Sequence, residues 1–119
     1  MRSADDVTAF EGQSRHASAP SRNKTNFIAG FVKGDSGNHY SIKSGDPERA
    51  GSLETVYDGA RPVGYEVMKK QGGIILGIGG DNSPWAGGIF YEGVMTAGYA
   101  SDGTDAAVMD NIVAAKYSL

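Results

Sequence analysis

Hydrophobic and polar positions divide the chain near residue 26. Met1 to Asn26 interleaves Ser, Arg, Asn and Lys, with only Val7, Phe10 and scattered Ala as apolar content. That pattern predicts a polar arm or divergent segment over residues 1–25. From there on, apolar positions come in short runs bounded by turns. Phe27-Ile28-Ala29-Gly30-Phe31-Val32 is aromatic and β-branched and stops at Lys33-Gly34-Asp35-Ser36-Gly37-Asn38, which predicts a strand and a hairpin loop. His39 to Lys43 alternates with period two, putting Tyr40 and Ile42 on one face, and Leu53, Thr55 and Tyr57 repeat the alternation in a third strand. Gly73 to Gly79 reads as a strand buried on both faces. Gly88 to Tyr99 reads as a long β-rich run with a bulge or close approach at Gly93.

The period changes once. Val108, Ile112 and Ala115 recur at i, i+4 and i+7, so Asp105 to Lys116 is expected to be a helix, with Ser101-Asp102-Gly103-Thr104 supplying its cap. Short strands closed by a single terminal helix predict a mainly β chain, an antiparallel β-sandwich with one C-terminal α-helix.

Composition narrows this further. Glycine accounts for 18 of 119 residues, which favours turns and close backbone approaches over an all-helical fold. A formal charge of −3 without a basic cluster argues against nucleic acid, whose binding depends on grouped Lys and Arg. No apolar stretch approaches the ~20 residues of a bilayer span, and Met1-Arg2-Ser3-Ala4-Asp5-Asp6 does not open a signal peptide. The absence of cysteine excludes a disulfide framework, a thiolate zinc site and thiol catalysis. His16 and His39 lie far apart without ligand spacing and read as surface or turn histidines. Neither a metal nor a cofactor is expected.

The segment with chemical potential is Gly77-Ile78-Gly79-Gly80-Asp81-Asn82-Ser83-Pro84-Trp85. Pro84-Trp85 follows where a dinucleotide fingerprint would open a helix, and the loop has no P-loop lysine. Two readings remain. Gly-Asp-Asn-Ser is ordinary turn chemistry. Alternatively, an apolar strand delivers Asp81 into a dry, glycine-lined concavity. Desolvation there would raise its pKa and let it protonate a departing glycosidic oxygen. In the second reading Asn82 and Trp85 are the side chains beside Asp81 that could contact the sugar, although Trp85 could equally fill the core. Glu92 is the other carboxylate within reach, and a Glu in such a position is more often satisfied by backbone or tyrosine hydroxyls.

Several blocks then occur in a fixed order: Phe31-Val32-Lys33-Gly34, Gly51-Ser52-Leu53, Gly59-Ala60-Arg61-Pro62, Met68-Lys69-Lys70, Ile74 to Ser83, Phe90 to Thr96, and Asn111 to Tyr117. Together they closely resemble the C-terminal part of the fungal-type α-L-arabinofuranosidase B catalytic domain, glycoside hydrolase family fifty-four, over residues 26–119. The resemblance implies a concanavalin-like sandwich that releases terminal α-L-arabinofuranosyl residues from arabinan or arabinoxylan with retention. It also implies an extracellular setting and a partner that is an arabinose-containing polysaccharide or oligosaccharide; no membrane partner is expected, from the short apolar runs.

In that family the Asp of Gly-Gly-Asp-Asn-Ser is the general acid/base, matching Asp81, and the preceding Gly80 contacts the sugar. The family's nucleophile segment, Asp-Leu-Glu-Asn, is absent, and counting back from Phe10-Glu11-Gly12 puts Asp6 at the glutamate's position. Aspartate is one methylene shorter, a deficit of roughly 1.5 Å. The resemblance therefore implies a partial catalytic domain. The alternatives are a non-catalytic, lectin-like sandwich and an inactive fragment.

Overall fold

The computed structural model describes residues 25–67 and 88–119. Within them three strands, β1 (Ala29–Gly34), β2 (Tyr40–Gly45) and β3 (Glu54–Gly59), precede one helix, α1 (Asp102–Ala114). The strands form an antiparallel sheet in the order β1-β2-β3, so the chain is mainly β, as expected. Among the described residues there is one sheet.

Register decides which side chains face the helix. Phe31 pairs with Lys43 and Val32 with Ile42. In the next pair Ile42 faces Tyr57 and Lys43 faces Thr55, which leaves Val56 as the extra residue of a bulge. Tyr40 and Ile42 do share a face, but the face turned towards α1 carries Ser41 and Lys43. On β1 the same side carries Ala29, Phe31 and Lys33, all buried. Two strands thus each carry a buried lysine on their inner face.

Ala29 and Phe31 pack against Met109 and Ile112 of α1, with Leu53, Val94, Val108, Val113 and Tyr117 around them. Glycine lets the end of β2 approach the core closely, since a Cβ on Gly45 would lie 2.9 Å from Met109 Cε and 3.3 Å from the Leu53 Cα.

The helix begins three residues before its expected start. Ser101 is the N-cap and its Oγ accepts the Thr104 N–H at 3.1 Å, as the Ser-Asp-Gly-Thr signal predicts. Its buried face is Asp105, Met109 and Ile112. Of the expected stripe Ile112 is buried, but Val108 is only half-buried beside the buried Met109, Ala115 is exposed, and a carboxylate, Asp105, heads the buried face. The helix ends where Lys116 takes a left-handed φ of 57°.

The run from Gly88 to Tyr99 is not a strand. Gly88 alone forms a bridge, and residues 89–100 are irregular. β-Propensity measures fit to a pleated, half-buried surface, and Gly98 interrupts extension with a φ of 85°. The expected arm over residues 1–25 lies outside the described residues except for Thr25, and the strand expected over Gly73 to Gly79 lies wholly outside them.

Candidate functional site

Asp81, Gly80, Asn82 and Trp85, and the nucleophile candidate Asp6, all lie outside the described residues. The chemistry that is described lies at both ends of the sheet and along the helix.

Glu92 belongs to the irregular segment that follows Gly88. Phe27, at the entry to β1, packs edge-on against Tyr91 with ring centroids 5.4 Å apart, and against Tyr117 at 5.5 Å. This aromatic group brings the Tyr117 hydroxyl to Glu92, where it donates to Oε1 at 2.7 Å. The hydrogen bond to the carboxylate, helped by burial, pushes the Tyr117 phenol up to about 12. Glu92 is therefore held by a tyrosine hydroxyl. It borders an open groove of about 560 Å³ whose other wall is α1, with Val94, Thr104, Val108 and Asn111.

At the N-terminal end of α1 four charges meet. Lys33 Nζ donates to the Ala100 carbonyl at 2.8 Å and to Asp102 Oδ1 at 3.0 Å, and it lies 2.7 Å from Asp105 Oδ2. All three of its protons have acceptors. Lys43 Nζ reaches the same two oxygens, Asp102 at 2.7 Å and Asp105 at 2.8 Å. Burial works against both ammonium charges, but the carboxylate hydrogen bonds outweigh it and both lysines are raised. Hydrogen bonds from Lys43 and Lys33 hold Asp102 down at about 2. The cluster is neutral and bridges β1, β2 and α1. What it does is fix the helix on the sheet, because its two ammonium groups on β1 and β2 both meet the carboxylates of α1. The Asp102-to-Asp105 segment is a cap, as read from sequence, but Asp105 has this second task. A signal for it exists: Lys33 shares its parity with Phe27, Ala29 and Phe31, the apolar face of β1.

His39 sits in the β1–β2 connection between two carboxylates, Asp35 and Asp58. It is a turn histidine, as expected, but sequence spacing alone did not reveal its partners. Among the described residues no group of three or more His, Asp or Glu side chains is arranged to hold a metal ion.

Comparison with known proteins decides the family. Residues 5–118 match the catalytic domain of α-L-arabinofuranosidase B. The chain belongs to that family. Over 95 residues it is 56% identical to an α-L-arabinofuranosidase B of Aspergillus oryzae, covering 78% of this chain and 18% of the relative. An α-L-arabinofuranosidase of Hypocrea jecorina is 54% identical over 95 residues, with 78% and 19% covered. An arabinofuranosidase/B-xylosidase of Trichoderma koningii is 53% identical over 95 residues, again with 78% and 19% covered. The chain thus spans about a fifth of the length of the curated relatives it matches. No solved structure matches it. The matched span of this α-L-arabinofuranosidase B family member includes both Asp6 and Asp81.

Proposed function

We propose that this chain carries the acid/base half of a retaining α-L-arabinofuranosidase that removes terminal α-L-arabinofuranosyl residues from arabinan or arabinoxylan outside the cell. The observation that carries the reading is the family match, which runs through the Gly-Gly-Asp-Asn-Ser segment. In this reading the protonated Asp81 carboxyl delivers its proton to the glycosidic oxygen as the C–O bond breaks. A second carboxylate attacks the anomeric carbon and forms a glycosyl ester. The Asp81 carboxylate then takes a proton from the water that hydrolyses the ester, so both carboxyls end as they began. Gly80, Asn82 and Trp85 line the sugar, on a sandwich completed by chain beyond the described sheet. Asp6 occupies the nucleophile's place from one methylene too far back.

Release of aglycone from an aryl α-L-arabinofuranoside tests this. Whatever hydrolysis the chain performs should fall about 10²- to 10⁴-fold in kcat in Asp81→Asn, the usual range for a positioned acid/base. Asp6→Glu should raise turnover by about 10²-fold, because restoring the methylene corrects a misplacement on the ångström scale. Equal rates for the chain and Asp81→Asn would overturn the assignment. Retention on arabinoxylan without any hydrolysis would leave a carbohydrate-binding module in its place.

A further inference from the structure

The connection between β1 and β2 and the exit of β3 are joined through one imidazole. His39 Nδ1 lies 3.1 Å from Asp35 Oδ2, and His39 Nε2 lies 2.6 Å from Asp58 Oδ1. A carboxylate only accepts, so satisfying both contacts requires a proton on each ring nitrogen. A neutral ring has one, and its other lone pair then faces an oxygen. Around this bracket the two segments are tied by other bonds as well. The Arg61 N–H donates to Asn38 Oδ1 at 3.2 Å, and the Arg61 guanidinium donates to the carbonyls of Asp35, at 2.7 Å, and of Gly37. Within the loop the Asp35 N–H donates to the His39 carbonyl at 3.2 Å.

We propose that Asp35, His39 and Asp58 form a proton-operated clasp, closed when the imidazole is doubly protonated and loosened when it loses a proton, that controls how firmly the outgoing end of β3 is held to the hairpin. The groups facing the imidazole from each side support that sense. Asp35, from the loop, and Asp58, from β3, favour the cation. Partial desolvation of the ring opposes it. Tyr99 covers the ring at a centroid distance of 5.2 Å, and Lys33 lies on the Tyr99 ring 4.6 Å from its centroid. The hydrogen bonds to Asp58 and Asp35 raise the imidazole above its ordinary 6.5. A raised histidine contributes stability that is complete below the unfolded value and lost as the pH climbs through the folded one. The clasp therefore holds below the ordinary imidazole value and slackens as the pH climbs through the raised one. It stands on these contacts alone and does not depend on the glycosidase reading.

Proton NMR of the full chain tests it. The His39 Cε1–H is assigned by its disappearance in His39→Gln, which leaves the His16 signal. Its titration midpoint should lie above 6.5 and move down in Asp58→Asn. Hydrogen-exchange protection of the Asp35 and Arg61 amides, corrected for intrinsic exchange, should fall as that signal titrates. A midpoint at or below 6.5, a midpoint unmoved by Asp58→Asn, or protection indifferent to the titration would each overturn the clasp.

Discussion

Lys116 ends α1 in a backbone conformation that suits glycine. With φ at 57° its Cβ crowds the backbone, a cost that glycine at this C-terminal position avoids. Lys116→Gly should raise stability by about 1 kcal/mol, read as a higher urea midpoint with an unchanged slope. An unmoved or lower midpoint would count against it. One residue further on, Tyr117 gives a pH-dependent prediction. Its folded pKa of about 12 lies above the ordinary 10.0, so its contribution is complete below pH 10 and lost as the pH rises towards 12. Tyr117→Phe should cost about 1 kcal/mol at neutral pH, and its stability curve should lack the alkaline step. At this scale the sequence was legible where a residue's type fixes its work: Ser101 as a cap, or Glu92 as a carboxylate satisfied by a tyrosine hydroxyl. It was not legible where a partner comes from a distant element, as for His39 with Asp58 or Asp105 with two lysines.

Elements were recognisable by period, but their faces were not. Tyr40 and Ile42 alternate as a strand should, yet the inward row of β2 is Ser41 and Lys43, because the helix packed against it supplies carboxylates in place of methyl groups. The same cause shifts the helix stripe, since Asp105 occupies a position that an apolar count passes over. Gly88 to Tyr99 was misjudged for the opposite reason: its residue types favour a sheet, but Gly98 turns the backbone away.

The charge cluster makes a graded prediction. Asp105→Ala leaves Lys33 and Lys43 buried with only the exposed Asp102 as a carboxylate partner, and should cost about 3–5 kcal/mol. Replacing all three together, Lys33→Met, Lys43→Met and Asp105→Leu, should recover most of that loss, because a packed apolar group carries no desolvation penalty. Denaturant unfolding of the two variants checks both. A triple variant as unstable as Asp105→Ala would mean that packing, and not charge balance, sets the position of the helix.

Among the described residues these pieces give a sheet with one face closed by a helix and the other bearing Val32 and Tyr57, both substantially exposed. Acid should loosen the closed side. Asp102 stands at about 2 against an ordinary 3.8, so its support is complete above 3.8 and disappears as the pH falls through 2. Asp102→Asn should flatten that part of the stability curve, and a wild-type curve without an acid limb there would contradict the pairing. Fold class and family were readable from the chain because turn signals and collinear blocks are local. Asp81 lies outside the described residues, and its loop stands as the sequence expectation. The claim that matters most is that Asp81 supplies the proton and afterwards the base. In Asp81→Ala, a substrate whose leaving group needs no proton, such as a dinitrophenyl α-L-arabinofuranoside, should still form the glycosyl ester, which then waits for a nucleophile. Measuring turnover with and without sodium azide isolates that step. Azide should restore the rate and yield the α-configured arabinofuranosyl azide, whereas no response to azide, or a variant as fast as the parent chain, would contradict the account.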